Sequence, residues 1–104
     1  MYNISNDYFL SIIKEITMKD VVMITADYCP YCRRARKYMD ELFSEHPEFK
    51  SVPLSIVDEV QNREAAEKYN YHLVPSYFLN GKMHFTGAAT KEDVERVFKD
   101  ALNS

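Results

Sequence analysis

Apolar residues recur at every third or fourth position in four stretches of the chain, and four further stretches are short apolar runs. Phe9, Ile12, Ile13 and Ile16 mark a first amphipathic helix, with Ser5 and Asn6 as N-cap candidates. Val21 to Thr25 (VVMIT) is continuous and β-branched, which predicts a strand buried on both faces at the centre of a parallel arrangement. Ala26 to Cys29 reads as a turn. Pro30 then sits where a helix starts, because its missing N–H costs nothing there. Ala35, Tyr38, Met39, Leu42 and Phe43 line one face of that helix, predicted from Pro30 to Glu45 and stopped before Pro47.

Val52 to Val57 is a second strand-like run, ending at Asp58. Asn62 to Tyr69 reads as a short helix with Ala65, Ala66 and Tyr69 inward. Asn80-Gly81 lies between Ser76–Leu79 and Lys82–Thr86; both residues accept positive φ, so a type I′ hairpin is expected, closed by Gly87. Thr90 and Asp93 have capping-box spacing before a last helix, whose apolar face is Val94, Val97, Phe98, Ala101 and Leu102. The first two strands, joined through a helix, should be parallel with a right-handed crossover. The expected architecture is α/β: one domain over residues 1–104, with a mixed four-stranded sheet and helices on both faces.

The chain is 46% hydrophobic and 28% charged, which excludes intrinsic disorder. Its formal charge of −3 leaves no electrostatic footprint for nucleic acid or an anionic membrane. No apolar run approaches the roughly 18 residues of a membrane helix, and the first residues lack a signal-peptide pattern. A cytoplasmic monomer is the expectation.

Cys29 and Cys32 are the chain's two cysteines. Spending both on one C-x-x-C excludes a disulfide-stapled secreted scaffold and suggests chemistry. A helix N-terminus carries partial positive charge and unpaired N–H groups, so a thiolate there is stabilised. Cys29 is expected at the exposed cap, and Cys32 one turn deeper on the same side. Cys29 would attack a substrate disulfide and Cys32 would resolve the mixed disulfide. Other readings of the pair remain. Thirteen residues separate Cys32 from His46, one spacing of a zinc finger, but the second histidine is missing; His72 and His84 lie elsewhere. Haem attachment needs His where Arg33 stands. Two inert buried cysteines are the third reading, disfavoured by Pro30 at the helix start.

Asp27-Tyr28-Cys29-Pro30-Tyr31-Cys32 resembles the active site of glutaredoxins, with their Pro-Tyr dipeptide. Ala66 to Lys82, including Val74-Pro75-Ser76, and Gly87-Ala88-Ala89-Thr90 resemble thioredoxin. The likeness covers nearly the whole chain and implies the thioredoxin fold. It further implies a thiol–disulfide oxidoreductase acting on protein or glutathione mixed disulfides. Pro75 would be the cis proline facing the sulfurs, and the Val74 backbone would pair with a bound peptide or glutathione. Tyr28, Gly87 and Ala88 would join that substrate platform. Pro30, Tyr31 and Arg33 would tune the pair.

The sequence also departs from both patterns. Met23 and Leu54 stand where thioredoxins carry a buried Asp and its Lys partner. Tyr28 replaces their Trp, and Ala26 replaces the Lys that holds glutathione in glutaredoxins. No metal or bound cofactor is expected; glutathione is a candidate co-substrate, and a reductase is the electron donor. Glutathione service and service by a flavin-dependent reductase are the two close alternatives. An iron–sulfur or zinc module built on the C-x-x-C is the alternative of another class.

Arg33, Arg34, Arg36 and Lys37 form a basic run. It reads chiefly as a solvated helix face balanced by Asp40, Glu41 and Glu45, with Arg33 closest to the thiols. Asp27 would raise a nearby thiol's pKa or cap the turn, and Asp58 reads as an ordinary strand-end polar residue. Tyr38, Phe43, Phe78 and Phe98 are expected in the core.

Overall fold

The computed structural model describes residues 18–103. The helix expected around Phe9 to Ile16, with its caps, lies outside them. The elements are β1 (Val21–Thr25), α1 (Pro30–Glu45), β2 (Leu54–Asp58), α2 (Arg63–Glu67), β3 (Ser76–Leu79), β4 (Lys82–Thr86) and α3 (Lys91–Leu102). They form one mixed sheet in the order β2-β1-β3-β4. β1 pairs parallel with β2 and antiparallel with β3, and β3 pairs antiparallel with β4.

Alternation along the strands divides the core. Val21 and Met23 of β1 and Tyr77 and Leu79 of β3 face Ala35, Met39 and Leu42 of α1 and Val94, Val97 and Phe98 of α3. Ile24 and Phe78, on the opposite face, pack with Ala66 of α2. Helices therefore cover both faces, and β1 is buried on both, as its unbroken apolar run predicts. Of the aromatics expected in the core, Phe78 and Phe98 are buried, while Tyr38 and Phe43 are half-buried at its margin; Phe43 and the buried Phe49 meet Phe98 with ring centroids 5.0 and 5.8 Å away.

Turn chemistry follows the sequence closely. Asn80 (φ 49°) and Gly81 (φ 82°) make the left-handed pair a type I′ hairpin needs. Thr90 Oγ1 accepts from the Asp93 N–H at 3.1 Å while Asp93 accepts from the Thr90 N–H at 2.9 Å, a complete capping box. Differences arise where the chain leaves regular elements. Pro47 opens a 3₁₀ turn (Pro47–Ser51) that buries Phe49; Val52 caps it, so β2 starts at Leu54 rather than Val52. α2 is one turn shorter than the expected Asn62–Tyr69, with Asn62 as its cap. In the hairpin the pairing passes from Tyr77↔Phe85 to Phe78↔Met83, leaving His84 as a bulge.

Candidate active site

The site sits at the C-terminal end of β1, where β1 passes into α1. A tight turn, closed by the Cys29 N–H donating to the Ala26 carbonyl at 3.0 Å, puts Cys29 at the N-cap and Pro30 at the first helical position. The Cys29 carbonyl accepts from the N–H groups of Cys32 and Arg33, both at 3.1 Å, which starts the helix. Both cysteines are free thiols. Cys29 is 8% exposed and Cys32 1%. The expectation of an exposed Cys29 is corrected: the residue is buried, with Val74 packed against it.

The two thiols are shifted in opposite directions. Burial pushes the Cys29 thiol up. That push is outweighed by the Cys32 N–H, the Cys32 thiol, the Tyr31 N–H and the Arg33 guanidinium, so its pKa lies below the ordinary thiol value. Burial also pushes Cys32 up, and there it wins: the Thr25 hydroxyl and Ala26 N–H pull down, but the Cys29 sulfur pushes the same way as burial. Cys29 is the sulfur that ionises first, and Cys32 keeps its proton.

Opposite Cys29 lies the Val74-Pro75 peptide, which is cis. The Cys29 thiol donates toward the Val74 carbonyl at 3.7 Å. The Gly87 N–H donates to the Pro75 carbonyl at 2.9 Å, and the Ser76 hydroxyl bonds to the Leu73 carbonyl and meets Thr86 Oγ1 at 2.8 Å. Gly87 is needed for its φ of +96°, and a Cβ there would meet Leu73 Cδ1 at 3.4 Å. Val74, Pro75 and Gly87 thus form one hydrogen-bonded unit beside the thiols, with exposed Ala88 next to it.

Tyr28 (67% exposed) and Tyr31 (49%) flank the thiols, and Arg34 lies over the Tyr31 ring. Arg33 donates to the Asp27 carbonyl at 2.7 Å. The Asp27 carboxylate meets Arg36 at 3.6 Å and Gln61 at 3.2 Å, which makes it a brace of the turn. The acidic residues of α1 do not balance the basic run along their own helix: Glu41 and Glu45 both hold Lys91 of α3, at 3.1 and 2.7 Å.

Sequence reasoning missed three contributors. Asp58 accepts from the backbone N–H groups of Asp27, Val60 and Gln61, which ties the β1–α1 turn to the β2–α2 loop. Glu59 accepts from the phenols of Tyr28 and Tyr71, both at 2.8 Å. Thr25 lies buried under Cys32. The local signal for Asp58 was an acid two and three residues before N–H groups of a turn; Glu59 depends on chain brought from afar, and Thr25 on the first turn of α1 folding back over the end of β1. Among the described residues no three His, Cys, Asp or Glu side chains come together as metal ligands. His46 pairs with Glu48 and Glu95, and His84 with Asp100, away from the sulfurs.

A C-x-x-C pair at a helix start, with Cys29 the more acidic sulfur and Val74 packed against it, is the arrangement of a thiol–disulfide oxidoreductase of thioredoxin type. The chain belongs to the thioredoxin domain family, whose model matches residues 18–99. It is similar to the thioredoxin of Methanocaldococcus jannaschii, 29% identical over 82 residues, covering 79% of this chain and 94% of the relative. A probable thioredoxin of Methanothermobacter thermautotrophicus is 28% identical over 83 residues, 80% of this chain and 95% of the relative. Among solved structures, Fasciola hepatica thioredoxin matches with a TM-score of 0.63 at 27% identity, covering 93% of each chain. Trypanosoma brucei brucei thioredoxin shares the fold, with a TM-score of 0.65 at 23% identity over 94% of this chain and 86% of that one. No helix among the described residues is long and apolar enough to cross a membrane.

Proposed function

We propose that the protein is a dithiol reductant of protein disulfides, working as a thioredoxin that a flavin-dependent reductase recharges. The observation that carries this reading is the pair of cysteines at the helix start, Cys29 at the cap with its pKa lowered and Cys32 one turn deeper with its pKa raised. Cys29 Sγ⁻ attacks one sulfur of the substrate disulfide; that bond breaks and the departing thiolate takes a proton. Cys32 then gives up its proton to solvent and attacks Cys29 Sγ. The mixed disulfide breaks, the second substrate thiolate leaves, and a Cys29–Cys32 disulfide remains. The substrate gains two electrons, which the reductase later returns to the protein. Neither step draws on a bound metal or organic cofactor.

Substrate docks against the Val74-Pro75 edge, where an extended peptide pairs with the Val74 backbone as an added strand. Tyr28, Tyr31, Gly87 and Ala88 border it, and Pro30 and Arg33 set the poise of the thiols. The thioredoxin names of the relatives favour the reductase over glutathione as donor. So does Ala26, fully buried where glutaredoxins carry their glutathione-holding Lys. A cytosol that keeps thiols reduced suits this role. The test is insulin reduction driven either by NADPH with thioredoxin reductase or by glutathione with its reductase. Turnover is expected with the first donor and abolished by Cys29→Ser. Turnover with glutathione alone would overturn the donor assignment; full activity of Cys29→Ser would overturn the mechanism.

A further inference from the structure

Thr25 closes β1 and is 1% exposed. Its Oγ1 is, among the described residues, the one buried side-chain polar atom without a hydrogen-bond partner. A hydroxyl shut away from water without a partner destabilises a fold, and a native one calls for a reason. Strand alternation sets Thr25 on the face of Val21 and Met23, which pack against α1. Cys32, in the first turn of α1, is equally buried, and the Thr25 hydroxyl and Ala26 N–H both bear on its sulfur. A neutral thiol is a weak acceptor, so the hydroxyl makes no well-formed bond in the reduced protein. A thiolate in the same place would be a strong acceptor.

We propose that Thr25 is a positioning residue for the resolving step, its hydroxyl donating to the Cys32 thiolate as that thiolate forms. The inference rests on the assignment of Cys32 as the resolving sulfur. In that step the Cys32 proton passes to solvent and the thiolate attacks Cys29 Sγ. The bond from Cys29 to the substrate sulfur breaks, and its electron pair leaves with the substrate. The new anion forms where water is excluded. The titratable groups around it are Cys29 from the turn, Tyr28 beside it and Tyr77 from β3. Both phenols are held above their ordinary pKa and stay neutral, so neither adds negative charge beside the forming thiolate. Stabilisation falls to the two fixed donors, the Ala26 N–H and the Thr25 hydroxyl. The second is supplied by a side chain and can be removed.

The test is stopped-flow reaction of the reduced protein with one equivalent of 5,5′-dithiobis(2-nitrobenzoate). Cys29 displaces the first thionitrobenzoate and Cys32 the second, so the slow phase reads the resolving step. Two chromophores per reagent are expected from the native chain and one from Cys32→Ser. Two from Cys32→Ser would refute the assignment of Cys32 and leave Thr25 without a role. Thr25→Val keeps the shape and loses the hydroxyl; one hydrogen bond to an anion corresponds to about tenfold in thiolate fraction. A thiolate of higher pKa is also more nucleophilic, with a Brønsted slope of about 0.4–0.5, so the slow phase becomes about threefold slower in acid and about threefold faster in alkali. The two pH profiles therefore cross, and Thr25→Ser restores the native curve. Superimposed profiles, or a uniform slowing that Thr25→Ser fails to reverse, would overturn the inference. Circular dichroism checks the fold, and Thr25→Ala replaces Thr25→Val under the same criteria if the valine variant does not fold.

Discussion

Phe98→Ala tests what fastens α3 to the rest of the molecule. Phe98 is fully buried; it meets Phe43 of α1 edge-on (87°, 5.0 Å) and stacks near-parallel on Phe49 of the 3₁₀ turn (28°, 5.8 Å). Truncation removes the ring from both partners and leaves a cavity between elements that cannot all close on it. Phe→Ala in such a core costs about 3–5 kcal/mol, part of it the two aromatic pairs. A domain of this size loses about 4–8 °C of Tm per kcal/mol, so the melt should fall by roughly 12–40 °C. Phe98→Leu keeps most of the volume and should cost less than about 1.5 kcal/mol. Thermal melts followed by circular dichroism supply the comparison. Below the melt, Cys29 alkylation should match the native rate, because Phe98 belongs to the cluster away from the sulfurs. A loss under about 1 kcal/mol for the alanine variant, or equal losses for both, would refute the three-ring cluster as the fastening.

Three further outcomes are expected. The pH midpoint of Cys29 alkylation by iodoacetamide should lie below the roughly 8.5 of a free thiol, and Cys32→Ala should move it up, because the Cys32 thiol helps hold the Cys29 anion; an unmoved midpoint would remove that contact from the account. Asp58, held below the usual carboxyl range by the Gln61 N–H first and then those of Val60 and Asp27, contributes stability that is present above its unfolded pKa and lost as pH falls through the folded one. Melts of Asp58→Asn should thus sit below native at neutral pH and converge with it on acidification below about pH 4; a gap constant with pH would count against this. Gly87→Ala and Gly81→Ala both force alanine to positive φ, at about 1–3 kcal/mol less about 0.4–1 from the stiffer unfolded chain. Only Gly87 is tied to the Val74-Pro75 edge, through its N–H to the Pro75 carbonyl, so Gly87→Ala alone should slow insulin reduction.

Local chemistry carried most of what could be read from the sequence. Asn80-Gly81 dictates its turn through backbone sterics, Thr90 and Asp93 satisfy each other within three residues, and Cys29-Pro30 writes both a cap and a reactive sulfur into one helix start. The unbroken apolar run from Val21 to Thr25 already marked a strand buried on both faces. What stayed hidden was set by distance along the chain. Lys91 takes Glu41 and Glu45 from a helix almost fifty residues earlier, so their spacing with the nearby arginines misled. Glu59 becomes a junction only because Tyr28 and Tyr71 converge on it. The burial of Cys29 depends on the Val74 loop, and Thr25 looks like an ordinary strand residue until Cys32 is laid over it.

The bulge at His84 bears on how molecules meet one another. β4 is an outer strand, and an even outer strand is an invitation for a neighbour to zip alongside. Doubling one residue against its partner breaks the rhythm of outward-facing amides and carbonyls midway along that border. His84 also reaches back 2.9 Å to Asp100 on α3, and Lys82 adds a charge at the same border. The β4 flank is thereby a poor template for stacking copies.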